Sequence, residues 1–281
     1  MLTERHLLFR TRLDREYLTS QAIMYKSVEA KEYKKHFEMP EDYRIDGVLI
    51  SGTWQVDREF ERVEQLLKQS HPSAKIQPIP YRFVSIGREI TTDKGRYWVF
   101  VMYGGAMLSE FLHLGSLFGS KKNILVGLAG GLKPGIKMAD IILPSASFKD
   151  GSMSTMYDPS DNELVHADKG LTSSLKTRLD PKLAIHEGKT MTCQAMMGES
   201  AEDVKKWSTA GYLAVEMEAA TVFAVSKHFK VPAAAVLSIA DNLIEEETVM
   251  HEKYEALAEI RSNVRNEQYR IALDELLAGN T

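Results

Sequence analysis

Beyond residue 46 the chain alternates between short apolar runs and segments whose apolar positions recur every three or four residues. GVLIS (47–51) ends at Gly52 and reads as a buried strand followed by a turn. DREFERVEQLLKQ (57–69) carries Phe60, Val63, Leu66 and Leu67 at helical spacing. YWVFVMY (97–103) predicts a strand running into Gly104-Gly105, and MLSEFLHLGSLFG (107–119) an apolar-faced helix. NILVGLAGG (123–131) predicts a strand entering a glycine turn, and ADIILPSA (139–146) a strand closed by Pro144. LAVEME (213–218) reads as a strand that enters a helix, ATVFAVSKHF. After Pro232, AAAVLSIAD (233–241) is a further buried strand, and residues from about 250 to 277 are helical. Residues 1–45 are polar, charged and helix-prone, and read as a mostly helical N-terminal extension to one domain, 46–281. The expected fold class is α/β, in three α/β/α layers around a central mixed, twisted sheet. Strands that end in glycine or acid residues put a ligand site along the carboxyl edge of that sheet.

Composition narrows the classes. Of 281 residues, 44% are hydrophobic and 26% charged, which suits a soluble globular chain with a sizeable core. A formal charge of −4 gives no basic excess for nucleic acid or an anionic membrane surface. Cys193 is the single cysteine, so no intrachain disulfide forms, in keeping with a reducing compartment. The N-terminus has charges scattered through it and no apolar core segment, and no apolar run is long enough to cross a bilayer. A cytoplasmic protein is expected. No Cys/His cluster has metal-ligand spacing. YGGAM and GLAGG do not match the dinucleotide G-x-G-x-x-G pattern, so neither a metal nor an organic cofactor is expected.

Chemistry concentrates in two places. Val215-Glu216-Met217-Glu218-Ala219-Ala220 brings two acids to the end of an apolar strand, and Ser238-Ile239-Ala240-Asp241-Asn242 brings a third. Taken singly, each acid could be a helix-start or turn residue. Taken together, they are carboxylates at the ends of buried strands, which is costly unless they bind something. Cleaving an N-glycosidic bond needs acceptors for the sugar hydroxyls as the ring becomes cation-like, and an acid to protonate the departing base.

VEMEAATVFAVSKHFKVPAAAVLSIADN resembles the signature of the nucleoside phosphorylase superfamily, which includes phosphorylases and nucleosidases. NILVGLAGGLKPGIKMADIILPSA, YGGAMLSEFL and GVLISG resemble its glycine turn, helix start and first strand, and the likeness runs with gaps from Asp46 to Leu277. The resemblance implies that Glu218 binds the ribose 2′- and 3′-hydroxyls, Met217 packs under the sugar, and Glu216 lines the same pocket. It implies that Asp241 protonates the purine N7. It puts Met196 against the base, with Cys193 and Gln194 nearby. Gly52, Gly104 and Gly127 would shape the nucleophile pocket. Uridine-specific members carry Gln-x-Arg where this chain has Glu199-Ser200-Ala201, which favours a purine nucleoside. Family sites are completed at dimer contacts, so a homo-oligomer is expected, a dimer or trimer of dimers, with His6 a candidate neighbour-subunit contact.

Two departures keep the acceptor open. The Arg and Ser or Thr that hold phosphate in the family are Leu125 and Leu128 here, and leucine cannot clamp an oxyanion. Arg58, Arg82, Arg88, Lys121 or Lys122 would have to substitute. Hydrolytic members place a water-activating carboxylate about five residues after the first glycine; Asp57 falls there, and Glu59 would serve if the helix register shifts. Three activities follow: phosphorolysis with phosphate as co-substrate, hydrolysis of a nucleoside or nucleotide, and nucleoside binding without catalysis.

Overall fold

The structure, a computed structural model, describes residues 25–149, 153–250 and 252–278. The chain divides into two units between Tyr43 and Arg44. Within the first, the described residues form a 3₁₀ turn, Tyr25–Ser27, and one short helix, α1 (Ala30–His36), on which Tyr33 and Phe37 stack. His6 lies outside the described residues.

The second unit is a mixed sheet between two helical layers. β1 (Gly47–Gly52) lies parallel to both β4 (Gly95–Met102) and β5 (Asn123–Gly131). β3 (Arg88–Thr92) and β2 (Lys75–Pro78) extend the sheet antiparallel beyond β4. On its other edge β5 pairs in parallel with β10 (Ala233–Asn242). β10 meets β6 (Ile141–Phe148), β6 meets β8 (Ile185–Thr192), β8 meets β9 (Ala214–Glu216), and β9 returns to β5. The sheet therefore closes on itself through β5, β10, β6, β8 and β9, a closure that periodicity alone does not disclose. The short β7 (Leu164–His166) adds to β6.

Strand side chains alternate between faces, so β1 sends Leu49 one way and Val48 and Ile50 the other. Leu49, Val99, Ile124 and Val236 pack with Phe60 and Val63 of α2 (Val56–Ser70) and with Tyr269 and Leu273 of the C-terminal helix Ala258–Leu277. Leu171 and Leu175 of the helix Lys169–Arg178 join the same cluster. On the opposite face lie α3 (Gly105–Leu117) and the helix Ala219–Phe229. A side chain at Gly115 would stand 2.7 Å from Val48 Cγ2, so this glycine sets how closely α3 approaches β1. In chain order the remaining helices are α4 (Met153–Tyr157), α5 (Lys169–Arg178), α6 (Ala201–Thr209), α7 (Ala219–Phe229), α8 (Glu252–Ala256) and α9 (Ala258–Leu277).

Candidate active site

The site arises where β1 stops and β9 takes its place. β1 pairs with β5 as far as Gly52↔Gly127. Three residues further along β5, the antiparallel β9 begins, with Gly130↔Val215 and Gly131↔Ala214. β9 thus runs back toward the end of β1 and delivers Glu218 into the gap. A side chain at Gly52 would lie 2.6 Å from Glu218 Oε2, which makes glycine a spatial requirement there. Gly104, at φ +79°, turns its N–H to donate to Glu218 Oε1 at 2.6 Å, a conformation that side-chain-bearing residues rarely adopt. On the other edge of β5, a register shift between Ile239 and Asp241 sets Asp241 opposite Gly130. Glu218 and Asp241 therefore reach the same glycine-rich end of β5 from its two sides.

The two acids of the E-M-E run do different things. The strand expected over 213–218 ends at Glu216, and α7 begins at Ala219. Glu216 is buried, and its carboxylate accepts from Glu218 N–H at 2.7 Å, Ala219 N–H at 2.6 Å, Thr192 Oγ1 at 2.5 Å and Ser147 Oγ at 3.1 Å. It caps the start of α7, with both of its oxygens accepting from the protein's own donors. Burial still raises its pKa, against the pull of those four donors. Glu218 is equally buried but accepts from fewer donors, the backbone N–H groups of Gly104 and Met217; burial, then the charge of Glu216, push it up to about 8. The Gly104 and Met217 amides, and then Arg265, pull the other way.

Asp241 is partly buried, and that burial pushes it up to about 6. Beside it stands Glu199, which burial and then the charge of Asp241 push up to about 7. Ser200 and Asp203 form a reciprocal capping box at the start of α6, so the local sequence holds Glu199 just ahead of the helix. Cys193 hydrogen-bonds to the Glu199 carboxylate. Burial, and then the charges of Glu218, Glu199 and Cys193, raise the pKa of Tyr103, directly after β4. Its hydroxyl donates to Met196 Sδ at 3.7 Å, and its ring meets the exposed Trp54 edge-on at 5.0 Å. Acids, sulfur and aromatic surface thus share one rim, which can hold a sugar at one end and protonate a planar heterocycle at the other.

Over residues 64–277 the chain matches the family model of the phosphorylase superfamily. The chain belongs to the phosphorylase superfamily. A DeoD-type purine nucleoside phosphorylase from Exiguobacterium sibiricum is 29% identical over 164 residues, covering 56% of this chain and 64% of the relative. A guanosine phosphorylase from Halorubrum lacusprofundi is 30% identical over 118 residues, or 42% of this chain and 49% of the relative. The chain thus spans less than two thirds of the curated relatives' length. A solved uridine phosphorylase from Vibrio fischeri ES114 superposes with a TM-score of 0.67 at 18% identity, covering 82% of this chain and 91% of that one. That likeness places the chain in the same fold.

Among the other positions singled out in this superfamily member, Met217 is buried with its methyl group toward Gly104. Gln194 is a brace: its Oε1 accepts from Gly105 N–H at 3.2 Å, and its Nε2 donates to the Met217 carbonyl at 3.4 Å. Gly127 is buried between Gly52 and Leu237, and its carbonyl accepts from Gln268 Nε2 at 3.1 Å. Leu125 is fully buried, whereas Leu128 is 40% exposed at the mouth of the sheet. Asp57 is exposed in the first turn of α2; the buried acid of that turn is Glu59, whose Oε2 accepts from Arg265 Nε at 3.3 Å. Residue-level reading passed over Tyr103, Trp54 and the pairing of Glu199 with Asp241. Tyr103 and Trp54 had a signal, since each follows a strand end within two residues of a glycine. Among the described residues no helix is long and apolar enough to cross a membrane.

Proposed function

We propose that the protein cleaves the N-glycosidic bond of a purine nucleoside and transfers the ribosyl group to inorganic phosphate. The observation that carries this reading is the delivery of Glu218 and Asp241 to opposite sides of the β5 end, one beside Gly52 and Gly104, the other beside Gly130. Glu218 accepts the sugar hydroxyls through the oxygen that faces Gly52. Burial raises the Asp241 carboxyl group to about 6, which brings its proton within reach of transfer near neutral pH and suits a general acid. A phosphate oxygen forms a bond to C1′ as the C1′–N9 bond breaks. The electron pair leaves with the base, which takes the Asp241 proton at N7. The products are ribose 1-phosphate and free purine. Glu199, coupled to Asp241, adds a second carboxyl group on the base side. The names borne by the relatives, purine nucleoside and guanosine phosphorylase, support phosphate as acceptor and purine as base. Hydrolysis is the weaker reading: Asp57 is exposed, and Glu59 is committed to the guanidinium of Arg265, so no enclosed carboxylate after β1 is free to activate water. The reading includes a homo-oligomer in the cytoplasm.

The test is release of hypoxanthine or adenine from inosine or adenosine with and without phosphate. Release that requires phosphate supports the proposal. Release at the same rate without phosphate, or binding without release, refutes it.

A further inference from the structure

The superfamily resemblance expects phosphate ligands at 125 and 128, where this chain has leucines. Leu128 nonetheless lines a cavity of about 330 Å³, bounded by α2 on one side and by α8 and α9 on the other. Four arginines, Arg58, Arg62, Arg261 and Arg265, line it, against two acids, Glu59 and Glu255. The excess is two positive charges, the complement of a phosphoryl dianion.

The arginines are not all satisfied by the protein. Arg265 is 5% exposed. Its Nε donates to Glu59 Oε2, and its Nη2 to Ser51 Oγ at 3.2 Å and Tyr269 Oη at 3.4 Å. Its Nη1 is buried and has no hydrogen-bond acceptor among the described residues. The Nε of Arg261 is in the same condition, although its Nη2 donates to the Tyr254 carbonyl and its guanidinium lies 3.3 Å above the Tyr254 ring. The Nε of Arg62 approaches Glu59 at 3.4 Å without a hydrogen bond, and its Nη1 donates to Asn266. Buried guanidinium nitrogens without acceptors are costly, and native proteins hold few of them without a reason. A fork of N–H donors is also what a phosphoryl group takes up best.

We infer that this cavity is an anion site whose ligands are the arginines of α2 and α9, taking over the task that the strand positions Leu125 and Leu128 cannot perform. Its place fits the task. Arg265 holds Ser51, the residue before Gly52, and Gly52 lies against the Glu218 carboxylate. The ligand is a phosphoryl group close to a bound sugar. It is either inorganic phosphate, which rests on the phosphorolytic reading above, or the 5′-phosphate of a nucleotide.

The experiment is calorimetric titration of the intact protein with phosphate, AMP and adenosine, each without turnover partners, in wild type, R261M and R265K. R261M removes a partly exposed side chain and tests the site without emptying the buried cluster; R265K keeps the charge but not the fork. Loss of one charge-assisted contact should weaken anion binding about tenfold or more. If inorganic phosphate binds wild type and both variants weaken it while adenosine affinity holds, the site takes the free anion. If AMP binds more tightly than adenosine and the variants erase that difference, the site takes a nucleotide phosphate. Folded wild type that binds neither phosphate nor AMP overturns the inference, as do unchanged affinities in both variants. Binding is read without catalysis, so a protein that binds phosphate yet cleaves nothing keeps the site and sinks the proposed function. One that cleaves nucleosides while its variants bind anions normally does the reverse.

Discussion

Replacing Asp241 by Asn tests the proton transfer directly. The side chain stays close in shape and can still hydrogen-bond, but it cannot deliver a proton. Burial holds the Asp241 carboxyl group up to about 6. At pH 6 about half of the enzyme then carries the acid form, at pH 7 about a tenth, and at pH 8 about a hundredth. Loss of a general acid typically costs about 10²–10⁴ in rate, or about 3–5 kcal/mol of transition-state stabilisation. The full penalty of D241N should therefore appear below pH 6, and the ratio of wild type to variant should shrink about fiftyfold between pH 6 and pH 8. The assay is kcat for base release from inosine at saturating phosphate across that range. A penalty of equal size at every pH would assign Asp241 to positioning rather than proton donation, and an unchanged rate would remove it from the mechanism. A second readout comes from Glu199, which burial and then the Asp241 charge hold at about 7. In D241N that charge is gone, so carbon NMR of labelled carboxyl groups should find Glu199 titrating lower. A Glu199 titration that does not move would show that the two acids are not neighbours.

Glu218 should destabilise the fold as it ionises. Its pKa is about 8 when folded against an ordinary 4.5, so the proton-bound stability is full below 4.5 and is lost as pH rises through 8, with an upper bound of about 5 kcal/mol. Thermal unfolding of wild type should drop between pH 5 and pH 9, and that of E218Q should drop less; parallel curves refute the assignment. E216A should act in the opposite sense, because four buried donors lose their acceptor; chemical denaturation should show a loss of at least about 3 kcal/mol, and a loss below 1 would mean that Glu216 is not the cap of α7. G52A pushes a methyl group into Glu218 Oε2, 2.6 Å away, and swings the carboxylate from Gly104. A fall of about 10–100-fold in kcat/KM at near-normal melting temperature is expected, and full activity would place the sugar elsewhere.

How far the sequence alone reached can be judged from single residues. The strands β1, β5 and β10 were legible because each is an apolar run that ends in a turn or acid signal, and burial on both faces leaves no other reading. Glu218 and Asp241 were legible because carboxylates at such strand ends need a reason to be there. The division of labour within E-M-E was not. Whether Glu216 faces a ligand or caps a helix depends on α7 starting at Ala219, and good helix formers on both sides of that point leave the start undefined locally. Asp57 and Glu59 pose the same difficulty. They are two residues apart on α2, which rotates them to different faces, and the buried one is settled by Arg265, 206 residues away.

That distance explains why, of the four arginines lining the anion cavity, sequence reading offered only Arg58. Arg261 and Arg265 lie four residues apart on α9, and nothing local to that helix joins them to Arg58 and Arg62 until α2 and α9 pack together. The leucines at positions 125 and 128 of β5 then take on a different meaning. Leu125 is buried in the sheet and Leu128 borders the cavity, so the apolar substitutions remove ligands from the strand without filling the space that an anion would occupy. Glu59, Ser51 and Tyr269 account for the Nε and Nη2 of Arg265, and an anion in the cavity would account for the buried Nη1, which has no acceptor among the described residues. The guanidinium, held by Glu59 and Ser51 next to Gly52 and Glu218, stands where the proposed anion site requires it.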